Sequence, residues 1–273
     1  MLSAQFSDTH IKPKGRLAYN NVDTAAMLKA AVAHVQTLPQ QPDLLLITGD
    51  LVDQGQPDEY EHLKEILAPL TYPMLLVPGN HDARQAMQHA FTDLLTKPST
   101  GFWQFCHQEP NWPIRIIGLD TVELGQSGGL LCQERLDWFE SVLAQDQHTP
   151  TLVMMHHPPF VTGIGHMDDI GLTGKEAFVD LVRQHDNIEL IICGHLHRNI
   201  RSHVAGRAVM TAHSTAHTVQ LDIAPDAPAM FSMEPPGYLL HWWNGTNLVT
   251  HHAHTGSFDG PYPFFEESGK LIT

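Results

Sequence analysis

Short runs of strand-forming apolar residues alternate with longer stretches in which apolar residues recur at helical spacing. Leu2 to Phe6, Leu44 to Ile47, Pro73 to Val77, Ile114 to Leu119, Leu152 to Met155 and Ile188 to Ile192 predict strands. Between them, Asn21 to Leu38 places Val22, Ala26, Leu28, Val32 and Val35 close to a helical period, with Asn20 or Asn21 as N-cap. Pro57-Asp58-Glu59 opens a second helix, with Pro in the first turn and acids at the positive end of the dipole, and Pro69 stops it after about Leu67. Residues 83–95 and Gln133 to Leu143 predict further helices, and 96–112 reads as loop or short edge structure. Beyond about residue 200 the pattern changes to strand-like runs at 207–212, 217–223, 238–243 and 247–253. Strands alternating with amphipathic segments predict an α/β core. The aromatic stretch from Phe258 to Phe265 has no period and predicts a tail packed on the body or on a partner chain.

Composition narrows the chemistry. The net charge of −15 argues against a binder of nucleic-acid polymers, which needs a basic face. An anionic substrate would need bound cations to invert the local field. Twenty His outnumber the fifteen Lys and Arg together, so imidazole and metal are the expected cations of any site. Three scattered Cys with no CxxC pair suit buried thiols in a reducing compartment. Met1 to Phe6 lacks a basic region followed by a long apolar one, and no run approaches the roughly 20 apolar residues of a membrane helix. The expectation is a soluble cytoplasmic protein with no membrane contact.

Five short motifs, almost all closing an apolar run, carry seven candidate metal ligands: Ser7-Asp8-Thr9-His10, Gly49-Asp50, Gly79-Asn80-His81-Asp82, His156-His157-Pro158 and Gly194-His195-Leu196-His197. Carboxylate, amide oxygen and imidazole together suit two divalent ions sharing a bridging carboxylate. Asp8 and His10, like His195 and His197, are spaced i, i+2 and project the same way if the extended conformation persists. Strand ends in α/β sheets line the crevice where ligands bind, so Asp50, Asn80 and His156 can converge there too. Asp50, alone beside Gly49, is the candidate bridge. Each motif alone is weak; the ordered set is not.

The order D-x-H, GD, GNH, H, GHxH resembles the calcineurin-like metallophosphoesterase superfamily. "PGNHD", "MMHHPP" and "CGHLH" resemble its bacterial branch of cyclic-nucleotide phosphodiesterases and glycerophosphodiesterases. The resemblance spans nearly the whole chain. It implies a four-layered α/β/β/α sandwich of two mixed sheets flanked by helices, with the strand-rich sequence after 150 supplying the second sheet. Residues 1–224 would be the catalytic domain, and 225–273 C-terminal strands and tail acting as cap or oligomer contact. It also implies two divalent ions, Fe or Mn favoured and Zn or Co compatible. One would be held by Asp8, His10, Asp50 and His197, the other by Asp50, Asn80, His156 and His195. The expected activity is hydrolysis of a small phosphodiester, a 3′,5′-cyclic nucleotide such as cAMP or a glycerophosphodiester, by a metal-bridging hydroxide. The alternatives are a phosphomonoesterase or protein phosphatase of the same superfamily, and a non-catalytic scaffold. A homo-oligomer is also expected.

Several residues carry secondary expectations. His81 resembles the family histidine that contacts phosphate and is the candidate proton donor to the leaving group. Asp82 either orients His81 or caps the following helix, the cap being preferred. His157 should point away from His156 and pack outside the ligand set. His213 and His217 are candidate outer contacts of the site, and His251, His252 and His254 surface or tail contacts. Asn199 either bonds substrate or stops a turn. Arg84, Arg198 and Arg201 lie outside the motifs, and this shortage of cations favours a singly charged diester over a monoester.

Overall fold

The computed structural model describes residues 1–92 and 101–272. The first half runs β1 (Leu2–Phe6), α1 (Thr24–Gln36), β2 (Leu44–Thr48), α2 (Pro57–Leu67), β3 (Met74–Val77), α3 (Arg84–Ala90), β4 (Phe105–His107), β5 (Arg115–Gly118) and β6 (Gly129–Leu130). It continues with α4 (Gln133–Gln145), β7 (Thr151–Met154), α5 (Gly165–Asp168), β8 (Leu172–Thr173), α6 (Lys175–Arg183) and β9 (Ile188–Cys193). Six strands close the chain: β10 (Arg201–Val204), β11 (Arg207–Thr211), β12 (Thr218–Val219), β13 (Phe231–Ser232), β14 (Gly237–Trp243) and β15 (Leu248–His254).

Two mixed sheets result, with strand orders β15-β14-β1-β2-β3 and β10-β11-β9-β7-β5-β4. Strands β1, β2 and β3 are mutually parallel, as are β5, β7, β9 and β11, so the carboxyl ends of each set share one edge. Alternation along the strands builds the layers. Leu152 and Met154 of β7 join the larger core, which holds Leu28 and Val32 of α1 and Leu63 and Ile66 of α2. Val153 and Met155 face the other way, into a core with Phe139 of α4 and Phe178 of α6. The architecture is the expected α/β/β/α sandwich.

Several local expectations are corrected. Helix α1 starts at Thr24, where Asp23 accepts the Ala26 N–H, while Asn20 sits with Tyr19 at positive φ in the turn closed by the Ala18–Val22 bridge. The helix expected over 83–95 ends at Ala90, and 93–95 lie outside the described residues, as do 96–100. Of the run 217–223 only Thr218–Val219 is strand. The second sheet does not coincide with the sequence after 150. Strands β4 and β5 join it from earlier, whereas β14 and β15 return to the first sheet, β14 lying antiparallel to β1. Phe258, Tyr262, Phe264 and Phe265 are exposed, although Phe258 sets its ring edge-on to His254 of β15 at 6.4 Å.

The outer core makes a stability prediction. The Phe139 and Phe178 rings stack at 5.5 Å, joining α4 to α6 behind the second sheet. Phe139→Ala should cost about 3–5 kcal/mol in urea unfolding while leaving the strand ends in place.

Candidate metal centre

Each motif follows a strand whose last residues are fully buried, so its polar group is delivered to the common edge by a rigid support. The extended conformation does not persist, however. Asp8, His10, Asp50, His195 and His197 all have positive φ, between 44° and 70°. Left-handed backbone costs a non-glycine residue roughly 1 kcal/mol or more and concentrates where function requires it. The i, i+2 expectation is corrected accordingly. Asp8, His10, Asp50 and His197 gather in one group, within 4.8 Å of one another, while His195 turns to a second group with His156 and His157. Asn80 Oδ1 lies 3.1 Å from His156 Nε2.

Close approach of the chains makes this possible. A Cβ on Gly79 would occupy the position of Asp50 Oδ1, and one on Gly194 would collide with Ser7 Oγ and the Thr48 carbonyl. Only glycine fits these two positions. Backbone N–H groups also hold the carboxylates: His195 donates to Asp8 Oδ1 at 2.9 Å and His81 to Asp50 Oδ1 at 2.9 Å.

Positive charge is in demand at the centre. The N–H of His156 Nδ1 donates to the Thr48 carbonyl at 2.8 Å, so its Nε2 is the atom left to share a cation or a proton with Asp50 Oδ2 at 3.3 Å. His197 Nδ1 donates to the His217 carbonyl at 3.2 Å, leaving Nε2 bare, 3.0 Å from His10 Nε2. His10 Nδ1 has no hydrogen-bond partner, the Asp53 Oδ1 carboxylate oxygen standing 3.7 Å away. His195 Nε2 donates to the Ile170 carbonyl at 3.1 Å, which frees Nδ1. Asp8 Oδ2 is buried without a hydrogen-bond partner. Such a set fits divalent cations, which would make these contacts attractive.

The charges agree. Burial opposes a proton on His156, but the Asp50 and Asp8 carboxylates push it up to about 9, so without a metal ion its Nε2 takes the proton that a bound cation would displace. Burial likewise works against the Asp50 anion, yet the His156 and His81 rings hold it well below the ordinary carboxylate range. Burial raises Asp8 to about 6, His156 opposing and Asp50 assisting. Burial and the neighbouring His156 bring His195 down to about 3.

The surrounding cleft of about 300 Å³ is lined by His10, Tyr19, Asp50, Asn80, His81, Ser127, His195, His197 and His217. Met230 and Phe231, from the segment 225–236 that carries the short strand β13, close one side. Neither Lys nor Arg lines it among the described residues. Arg84 instead pairs with buried Asp120, and Arg198 with Glu234.

The secondary expectations divide. His81 lines the cleft, its Nδ1 donating to the Asp53 carbonyl at 2.7 Å. Asp82 neither orients His81 nor caps α3. It accepts from the N–H groups of Gly79 and Leu51 and from the Tyr60 hydroxyl, tying two motif loops together. His157 does not turn away: its ring lies 4.4 Å from that of His195, but both its nitrogens are engaged, by Thr121 Oγ1 and the Ser127 carbonyl. His217 packs against His197 and His10, whereas His213 stacks on His252 outside the cleft. Asn199 bonds the Thr211 carbonyl and so secures the turn. Sequence reasoning missed Asp53, which pairs with Lys12 at 2.5 Å and stands behind both His10 and His81. Its place in Gly49-Asp50-Leu51-Val52-Asp53 was the available signal.

The sequence model of calcineurin-like phosphoesterases matches residues 1–199. A protein of Arcobacter nitrofigilis, named as a probable glycerophosphodiester phosphodiesterase, is 40% identical over the full length of both chains. The chain belongs to the calcineurin-like phosphoesterase family. Another relative is the 3′,5′-cyclic adenosine monophosphate phosphodiesterase of Escherichia coli, 28% identical over 77% of this chain and 74% of its own. Among solved structures, a dimetal phosphatase of Danio rerio shares the phosphoesterase fold. Its TM-score is 0.65 at 14% identity, covering 94% of this chain and 99% of that one. Divalent-metal use follows from membership of this family together with the Asp/His groups. No helix among the described residues is long and apolar enough to cross a membrane.

Acid should destabilise the chelated phosphoesterase chain. Burial and then His10 bring His217 down to about 3 from an ordinary 6.5, so below pH 6.5 the unfolded chain binds a proton that the native one refuses. The stability His217 contributes is present above pH 6.5 and lost as pH falls toward 3. His156 runs oppositely, losing its contribution as pH rises through about 9. Urea midpoints measured from pH 6.5 to 4 should fall, less steeply in His217→Asn.

Proposed function

We propose that the chain hydrolyses small phosphodiesters, with two divalent ions held in this cleft through one shared carboxylate. The observation that carries the proposal is the position of Asp50 Oδ2, 3.6 Å from His10 Nε2 and 3.3 Å from His156 Nε2. One ion would be held by Asp8, His10, Asp50 and His197, the other by Asp50, Asn80, His156 and His195. Such ions supply Lewis-acid charge to the phosphoryl oxygens and activate water. The mixed oxygen and nitrogen donors suit Fe or Mn, with Zn or Co compatible.

The chain's own groups position and deliver. His81, held at Nδ1 by the Asp53 carbonyl, offers Nε2 as the atom that carries a proton to the departing alkoxide. Asp53 keeps His10 and His81 in register, and Lys12 balances its charge. Tyr19, Met230 and Phe231 exclude water from one side and make the 225–236 segment a cap on the domain formed by residues 1–224. A cleft without Lys or Arg among the described residues favours the single charge of a diester over the double charge of a monoester. The phosphodiesters named for the relatives support the same bond class. The acidic, thiol-bearing chain suits a cytoplasmic setting, and its exposed aromatic tail suits contact with a second copy.

Bis(p-nitrophenyl) phosphate should be cleaved faster than the corresponding monoester, with activity lost on rigorous chelation and restored by Mn²⁺. A monoester preference would overturn the proposal. His81→Ala should lower turnover roughly 10²- to 10⁴-fold, the range of general acid–base catalysis, with bound metal unchanged; lost metal would make His81 structural.

A further inference from the structure

Polar side chains occupy an unexpected place in the first sheet. Gln5, Ser7, Thr48 and His241 are each buried to within 1% of complete, on strands where apolar residues would pack at lower cost. Their hydrogen bonds form one chain. Thr250 Oγ1 lies 2.8 Å from His241 Nδ1, and His241 Nε2 lies 3.0 Å from Gln5 Oε1. Gln5 Nε2 reaches Thr48 Oγ1 at 2.8 Å and the Cys193 carbonyl of the second sheet at 3.1 Å. Thr48 Oγ1 meets Ser7 Oγ at 2.8 Å, and the Thr48 carbonyl takes the Nδ1 proton of His156.

The direction of every link is fixed from one end. The Cys193 carbonyl can only accept, so the Gln5 amide must turn its nitrogen there and to Thr48. Gln5 Oε1 therefore faces His241, which must donate from Nε2 and accept at Nδ1 from the Thr250 hydroxyl. Burial pushes His241 down to about 3, consistent with the neutral ring this pattern needs. Thr250 and His241 are direct cross-strand partners on β15 and β14, and His241 is the partner of Ser3 on β1. The chain thus crosses four strands in sheet order and ends behind His156.

We propose that His241, oriented by Thr250, is a positioning residue that holds His156 toward the metal centre through Gln5 and the Thr48 carbonyl. This rests on the proposal that His156 holds a metal ion. Without the Thr250 hydroxyl, His241 is free to move its proton to Nδ1. Gln5 then loses its donor, and a flipped amide sets oxygen against the Cys193 carbonyl. Thr48 is no longer pinned, and its carbonyl is the group that keeps His156 Nε2 aimed at Asp50.

The test uses the full-length protein and Mn²⁺ alone, with affinity measured by competition against a chromophoric chelator. Thr250→Val should weaken Mn²⁺ binding roughly three- to tenfold, below the 10- to 100-fold seen when the immediate partner of a ligand is removed. Thr250→Ser, which keeps the hydroxyl, should bind like the wild type. His241→Gln should bind more tightly than His241→Leu. In ¹⁵N NMR the His241 ring should carry its proton on Nε2 in the wild type and Thr250→Ser, and on both nitrogens in exchange in Thr250→Val. Wild-type affinity in Thr250→Val overturns the inference, as does equal weakening in Thr250→Val and Thr250→Ser. A His156→Ala variant separates the two levels. If it loses Mn²⁺ affinity while Thr250→Val does not, only the positioning role fails; if it retains affinity, the metal-site proposal fails and the positioning role with it.

Discussion

The demand for positive charge between imidazole nitrogens and carboxylate oxygens at the shared strand edge is the constraint on which this molecule turns. Asp50 is almost fully buried, and imidazole nitrogens face it from two directions. A protein interior tolerates such a cluster only when every outward-facing atom is fixed and positive charge is available inward. The outward side is fixed: the carbonyls of Thr48, Ile170 and His217 take one ring N–H each from His156, His195 and His197. The left-handed residues at the strand ends belong to the same solution, since they turn side chains inward that a continued strand would have carried past each other.

The acidity of the chain acquires a meaning in this light. With net charge −15 and a cleft whose described lining has neither Lys nor Arg, imidazole is the one protein cation on offer to an anion there. Bound divalent ions would supply the field that receives a phosphate. The guanidinium groups beside the motifs serve structure instead: Arg84 holds Asp120, and Arg198 holds Glu234. The fold tells less than the site. A neighbour sharing the sandwich at 14% identity says how the layers stack, whereas chemistry resides in which side chains reach the edge.

Much of this was legible in the sequence, for a physical reason. Buried parallel strands are apolar throughout, so Leu44–Thr48 and Ile188–Cys193 announce themselves, and polar residues at their ends stand out against them. What stayed illegible depends on partners distant in the chain. Asp82 suggested a cap because Arg84–Ala90 follows it, yet its acceptors are filled by Leu51, Tyr60 and Gly79. Asn20 suggested an N-cap but lies at positive φ in the turn closed by the Ala18–Val22 bridge, and Asp23 caps the helix instead. The runs at 238–243 and 247–253 read as strands without indicating that β1, at the opposite end of the chain, would be their neighbour. Gln5 and His241 look like ordinary interruptions of alternation until that pairing is known.

The pairing of β1 with β14 bears on how the protein is made. Strand β1 precedes Asp8 and His10 and lies in the interior of its sheet only because the hairpin β14–β15 covers its free side. A ribosome delivers β14 long after β1. Until β14 leaves the exit tunnel, the nascent chain presents the Leu2–Phe6 backbone as an unprotected edge. Strand β1 therefore emerges well before it is sealed, and the interval belongs to whatever shields exposed strands during translation.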